Sequence, residues 1–107
     1  MIWSAVISGP EITADQIMVS TADYFGVSLE DLRGHSRSRV LVNARQVAMY
    51  LCRELTDLSL PRIGQAFGGR DHSTVIHSLD RVAEMMKENA EFRARVDKVR
   101  ETVRHST

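Results

Sequence analysis

Apolar positions recur along this chain at helical spacing and stop at residues that end helices, which predicts an all-α domain of about five or six helices. Thr13-Ala14-Asp15-Gln16 has the form of a capping box and starts a helix carrying Ile17, Met18, Thr21, Tyr24 and Phe25 on its buried side, with Gly26 as its end. Ser28 to Leu32 reads as a capped single turn that the chain leaves at Gly34. A long helix is expected from about Ser38 to Thr56, its core stripe formed by Val40, Ala44, Val47, Ala48, Leu51 and Leu55. A terminal amphipathic helix follows from Phe92, Val96, Val99 and Val103, and His105-Ser106-Thr107 should fray. Gly9-Pro10 marks a break, so residues 1–10 are expected to be a linker or the end of a preceding domain, with one domain over 11–107.

Between the two long helices lies a pattern that stops, bends and restarts. Leu60, Ile63 and Phe67 share one face of a short helix, and Pro61 suits its first turn. Gly68-Gly69 can take the positive φ that reverses a chain, and Asp71 can cap a second helix. In that second helix Val75, Leu79, Val82 and Met86 define the buried stripe, so Ser73, His77 and Arg81 point away from it. The pattern is a helix-turn-helix. Asp71, His72, Ser73 and Thr74, at its exposed start, carry the short donors and acceptors that base edges in a major groove require.

Two further stretches fit contact with a duplex. Arg33-Gly34-His35-Ser36-Arg37-Ser38-Arg39 is a basic loop kept thin by small residues, and guanidinium groups are drawn to the negative potential of a narrow A·T-rich minor groove. His35 has no assigned role. On the long helix Arg45, Met49, Arg53 and Thr56 recur along one edge with Gln46 beside them, a set of groups suited to phosphate oxygens.

The run Asp57-Leu58-Ser59-Leu60-Pro61, Ile63-Gly64, Ala66-Phe67-Gly68-Gly69-Arg70-Asp71-His72-Ser73-Thr74-Val75 closely resembles the C-terminal DNA-binding domain of the bacterial replication initiator DnaA family, and the likeness extends from about Ile12 to about Met86. The resemblance implies a Trp-repressor-like helix-turn-helix whose second helix enters the major groove of an asymmetric box of the form TTATNCACA. It places Asp71, His72, Ser73 and Thr74 at the bases, Arg37 in the minor groove, and Ser38 and Arg39 on the backbone nearby. It favours phosphate contacts from Arg45, Gln46, Arg53 and Thr56, and from Leu60 and Pro61, where the free N–H groups of a helix start face an anion. Arg70 and His77 complete the expected DNA-binding set. The family usually has threonine where this chain has Ser73, so a methyl group available to a thymine methyl is absent. The resemblance further implies one domain per box as a monomer, a cytoplasmic, nucleoid-associated setting, and other DnaA domains as partners if this is an excised fragment. ATP or ADP and magnesium are expected only in an absent ATPase domain, with no cofactor in this chain.

Composition first looks unfavourable to nucleic acid, because 14 Lys and Arg balance 14 Asp and Glu for a formal net charge of zero. Distribution reverses that reading. No acid occurs from Leu32 to Arg53, a stretch that holds Arg33, Arg37, Arg39, Arg45 and Arg53, and a neutral total can hide a basic face. At 107 residues with 43% hydrophobic residues the chain can bury a modest core without staples. Cys52, the single cysteine, allows no disulfide within the chain and is expected as a half-buried helix residue. The apolar opening Met1 to Ile7 is far too short to span a bilayer.

Other chemistries fit poorly. Gly64 to Asp71 has the glycine spacing of a phosphate-binding loop but lacks its lysine, its hydroxyl and a preceding strand. Asp71, His72 and Ser73 are successive on a helix and diverge by about 100° each, so they cannot relay a proton as a triad. His72, His77 and Cys52 lack zinc-ligand spacing. An enzyme is therefore not expected. Two rivals remain: a helix-turn-helix transcription regulator, and a helical protein-interaction module whose basic face meets an acidic partner.

Overall fold

The computed structural model describes residues 12–105, and among them the regular structure is six helices with no strand. In chain order these are α1 (Ala14–Phe25), α2 (Leu29–Arg33), α3 (Arg39–Leu55), α4 (Leu60–Ala66), α5 (His72–Glu88) and α6 (Ala90–His105). The expected linker over residues 1–10, the apolar opening and the fraying of Ser106 and Thr107 fall outside the described residues, while His105 closes α6.

The helix ends follow from local chemistry. Thr13 and Gln16 form the full capping box, and Gly26 ends α1 with φ +69° while donating its N–H to the Ala22 and Asp23 carbonyls. Ser28 and Ser59 cap α2 and α4 by accepting from Asp31 N and Arg62 N. Only Asn89 separates α5 from α6, and its side chain accepts from Phe92 N at 3.0 Å.

α3 runs through the middle, packed by α1, α2, α4 and α5, while α6 lies against α1 and α5. Phe67, Ile17, Met18, Leu32, Leu51 and Ile63 are fully buried, each contributing about 2 kcal/mol by leaving water. The periodicity reading of α3 needs correction at two places. Leu41 is buried and Val40 stays half exposed, and Met49, expected on an open edge, is 1% exposed. A helix covered from several sides buries more than one stripe, so a single periodic face under-assigns its core. Ala22 likewise joins the core of α1, whereas Tyr24, in its last turn, is 43% exposed and meets Phe25 edge to face at 5.2 Å. Cys52 is fully rather than half buried, and that burial, with a smaller contribution from Asp15, pushes its thiol up to about 12, which removes it as a nucleophile.

α6 is pinned to the middle by charge as well as by Val96, Val99 and Val103. Arg100 Nε lies 2.8 Å from Glu54 Oε2 on α3, and its Nη1 bonds Asp97.

Candidate nucleic-acid interface

The turn between α4 and α5 is built on three glycines. The Gly64 carbonyl accepts N–H bonds from Phe67, Gly69 and Arg70, at 3.2, 3.1 and 2.9 Å, so the chain folds back directly over Gly64. A Cβ there would stand 2.0 Å from the Arg70 carbonyl oxygen. Helical spacing alone makes Gly64 part of a helical run; the signal in the sequence is a glycine inside a helix, which costs about 1 kcal/mol and so calls for a packing reason. Gly68 and Gly69 have φ of +86° and +83°, the reversal expected of them. Gly68 also approaches another element, since its Cβ would lie 2.6 Å from the Arg33 carbonyl oxygen at the end of α2.

α5 then begins at a firm cap. Asp71 Oδ1 accepts from Thr74 N at 2.9 Å and from the Thr74 hydroxyl at 3.0 Å, bonds that hold the carboxyl below its ordinary range. One oxygen of Asp71 and the Thr74 hydroxyl are therefore engaged with each other in the unbound protein. His72, Ser73 and His77 are exposed, while Val75, Ser78 and Val82 face inward and set the helix's rotation. Ile76, absent from the sequence-based set, is 41% exposed on the same side as His72 and Ser73.

Beside this helix start runs the loop 34–38, which joins α2 to α3. Arg37, Ser38 and Arg39 are exposed, and their side chains make no hydrogen bond to any described residue. Ser38 occupies the N-cap of α3 without a side-chain cap bond, so the first-turn N–H groups of α3 are left for an outside acceptor.

Two expected phosphate contacts, Arg45 and Thr56, sit differently from the reading of one open edge, and Arg70 of the wider DNA-binding set is likewise engaged within the chain. Arg45 is 6% exposed, and its guanidinium donates from Nε to Leu32 O at 2.8 Å, from Nη1 to Ser36 O at 3.0 Å and from Nη2 to Asp31 O at 3.0 Å. Burial, then the charge of nearby Arg70, lowers its pKa. Thr56 is the C-cap of α3, its hydroxyl donating to Cys52 O and accepting from Leu58 N. Arg70 is half-buried and donates from Nη2 to Gly34 O, its pKa also lowered by burial. For Arg45 and Arg70, helical spacing cannot anticipate such bonds, because their partners are carbonyl groups elsewhere in the chain. Arg53 stays exposed with one bond to Leu58 O; Gln46 and Leu60 are half-buried, and Pro61 is exposed. Arg62, in the first turn of α4, is a further exposed cation that the sequence reading passed over.

Loop, α3 and α5 converge on one recess of about 310 Å³, lined among others by His35, Arg37, Gln46, Arg70, Thr74 and Ser78. Arg53, Thr56, Leu60 and Pro61 lie outside it. The arrangement offers two exposed fingers on either side of a polar hollow, a shape suited to a grooved anionic surface. No group of three or more His, Cys, Asp or Glu placed to hold a metal ion occurs among the described residues, and none of their helices is long and apolar enough to cross a membrane.

Comparison with known proteins points the same way. The family described as bacterial dnaA protein helix-turn-helix matches residues 14–82. Curated proteins named chromosomal replication initiator protein DnaA are similar to this chain. The one from Cutibacterium acnes is 51% identical over 88 residues, covering 82% of this chain and 18% of that protein. Those from Leifsonia xyli subsp. xyli and Levilactobacillus brevis are 56% identical over 77 residues and 46% identical over 93 residues, covering 16% and 21% of their lengths. The chain thus spans about a fifth of these relatives. A solved structure described as the crystal structure of a DNA replication initiation factor superposes with a TM-score of 0.73 at 34% identity, over 84% of this chain and 28% of that one.

Proposed function

The chain belongs to the bacterial DnaA helix-turn-helix family, a family of DNA-binding domains rather than of enzymes, and on that premise we propose that it reads one asymmetric duplex box of the TTATNCACA type. α5 enters the major groove with His72, Ser73 and Thr74 at base edges, and the loop 34–38 lays Arg37 in the adjoining minor groove. The observation that carries this reading is one recess lined both by Arg37 of the loop and by Thr74 of α5, with His72 and Ser73 exposed at the same helix start.

Around these readers, phosphate contacts fix register without reading sequence. Arg53, Gln46 and Arg39 supply side chains, and the starts of α3 and α4, at Ser38 and at Leu60 and Pro61, supply N–H groups. In this proposal the domain binds as a monomer, serves replication initiation in the bacterial cytoplasm, and depends on a separate ATPase domain for nucleotide. Titration with a TTATNCACA duplex and a scrambled duplex at fixed salt tests it. A preference on the order of a thousandfold is expected. Equal affinity for both duplexes would leave only a phosphate-binding surface and remove the box from the account.

A further inference from the structure

The loop that carries Arg37 has little to hold it from within. Its own bonds are Gly34 N to Asp31 O at 3.1 Å, at the end of α2, and Ser38 N to Ser36 Oγ at 3.2 Å. α2 is a single turn of five residues, too short to align a loop by itself. Yet the carbonyl groups along this stretch are met from outside. Arg45, reaching from α3, takes those of Asp31, Leu32 and Ser36. Arg70, immediately before the cap of α5, takes that of Gly34, and Gly68 packs against that of Arg33.

We propose that Arg45 and Arg70 are positioning residues, whose guanidinium groups hold the 31–36 backbone and thereby set the distance between the Arg37 loop and the recognition helix. Only arginine offers several N–H directions in one rigid plane, so a lysine keeps the charge and loses the arrangement. Arg45 has committed three of its five N–H groups to the chain and is 6% exposed, a poor disposition for gripping a phosphate. Arg70 Nε is buried without an acceptor among the described residues, so the clamp is held at some cost in unmet hydrogen bonding. The consequence is specific. The spacing between a minor-groove reader and a major-groove reader decides whether both can engage one box, so loosening the clamp should disable the loop's share of recognition and spare the helix's share.

The inference rests on the box reading above, and its test separates the two. Arg45→Lys and Arg70→Lys are compared with the parent in three measurements: amide hydrogen exchange at Gly34 and Ser38 in the free protein, binding to singly substituted boxes, and the salt dependence of binding. Exchange in the loop should quicken about tenfold, discrimination should fall about tenfold at positions in the TTAT half only, and the salt slope should stay unchanged. Adding Arg37→Ala to either variant should produce no further loss in that half. Unchanged loop exchange, with both halves weakened evenly, overturns the proposal and returns these arginines to phosphate; lysine keeps the charge, so the salt slope stays level in either case. If Arg45→Lys does not fold, Arg70→Lys, at a half-buried position, decides by the same criteria. A parent that shows no box preference defeats the box reading, while loop exchange still reports on the clamp.

Discussion

The start of α5 and the loop 34–38 face the same recess, and they are held in place by opposite means. α5 is aimed by its own sequence: Asp71 caps it, and Val75 and Val82 turn its polar start outward. The loop has no comparable local device and is held by arginines 9 to 36 residues away in the chain. A helix can thus be aimed by a cap and an apolar stripe written in its own sequence and packed on the core, whereas a reading loop borrows its rigidity from arginines of the elements around it. The two meet at the glycine turn, where Gly68 touches the end of α2 and Gly64 lies beneath Arg70.

The strongest way to break this comparison is at that turn. Gly64→Ala puts a methyl group against the Arg70 carbonyl, and is expected to destabilise the domain by about 3 kcal/mol in thermal unfolding. An unaltered melt would mean that the close approach does not exist in solution. Gly69→Ala sharpens the contrast: nothing lies within 4 Å of its added carbon, so only the positive φ is penalised and the loss should be about 1 kcal/mol. Comparable losses for the two variants would show that close packing adds nothing to conformation at this turn.

Arg53 lies outside the recess and should serve neither finger. Arg53→Ala is expected to weaken matched and scrambled duplexes alike and to lower the salt slope by about one. Equal slopes for variant and parent count against a phosphate contact there. The smallest expected effect concerns the cap of α5. Because the Thr74 bonds lower the folded pKa of Asp71, its stabilisation is present above the unfolded value, near 3.8, and is lost as pH falls through the lower folded value. Asp71→Asn keeps a capping oxygen and does not titrate. The stability difference between parent and this variant should therefore shrink as the pH is taken from neutral to below 3.8, and a constant difference would remove the charge from the cap's role.

These regions also mark how far the sequence could be read. The capping box at Thr13, the cap at Asp71, the reversal at Gly68-Gly69 and the stripe of α5 are set by residues a few positions apart, and each was legible. Val40 against Leu41, and the burial of Met49, were not, because α3 is covered from several sides and helical period alone does not say which. Arg45 leaves the open edge that helical recurrence gives it for a related reason: recurrence names a face of the helix, while its partners are carbonyl groups of α2 and the loop. Gly64 hid inside a helical run because the atom it makes room for is six residues away, across the turn.

The central claim, two fingers reading different ends of one box, is tested most directly by binding His72→Ala and Arg37→Ala to a panel of singly substituted TTATNCACA duplexes at fixed salt. His72→Ala is expected to relax discrimination within the CACA half, by about 1 to 3 kcal/mol where the base contact is lost. Arg37→Ala should relax it within the TTAT half, most for G·C substitutions, since the minor groove separates A·T from G·C and hardly A from T. A uniform loss across the panel for both variants would contradict the account, leaving these residues as holders of phosphate rather than readers of bases.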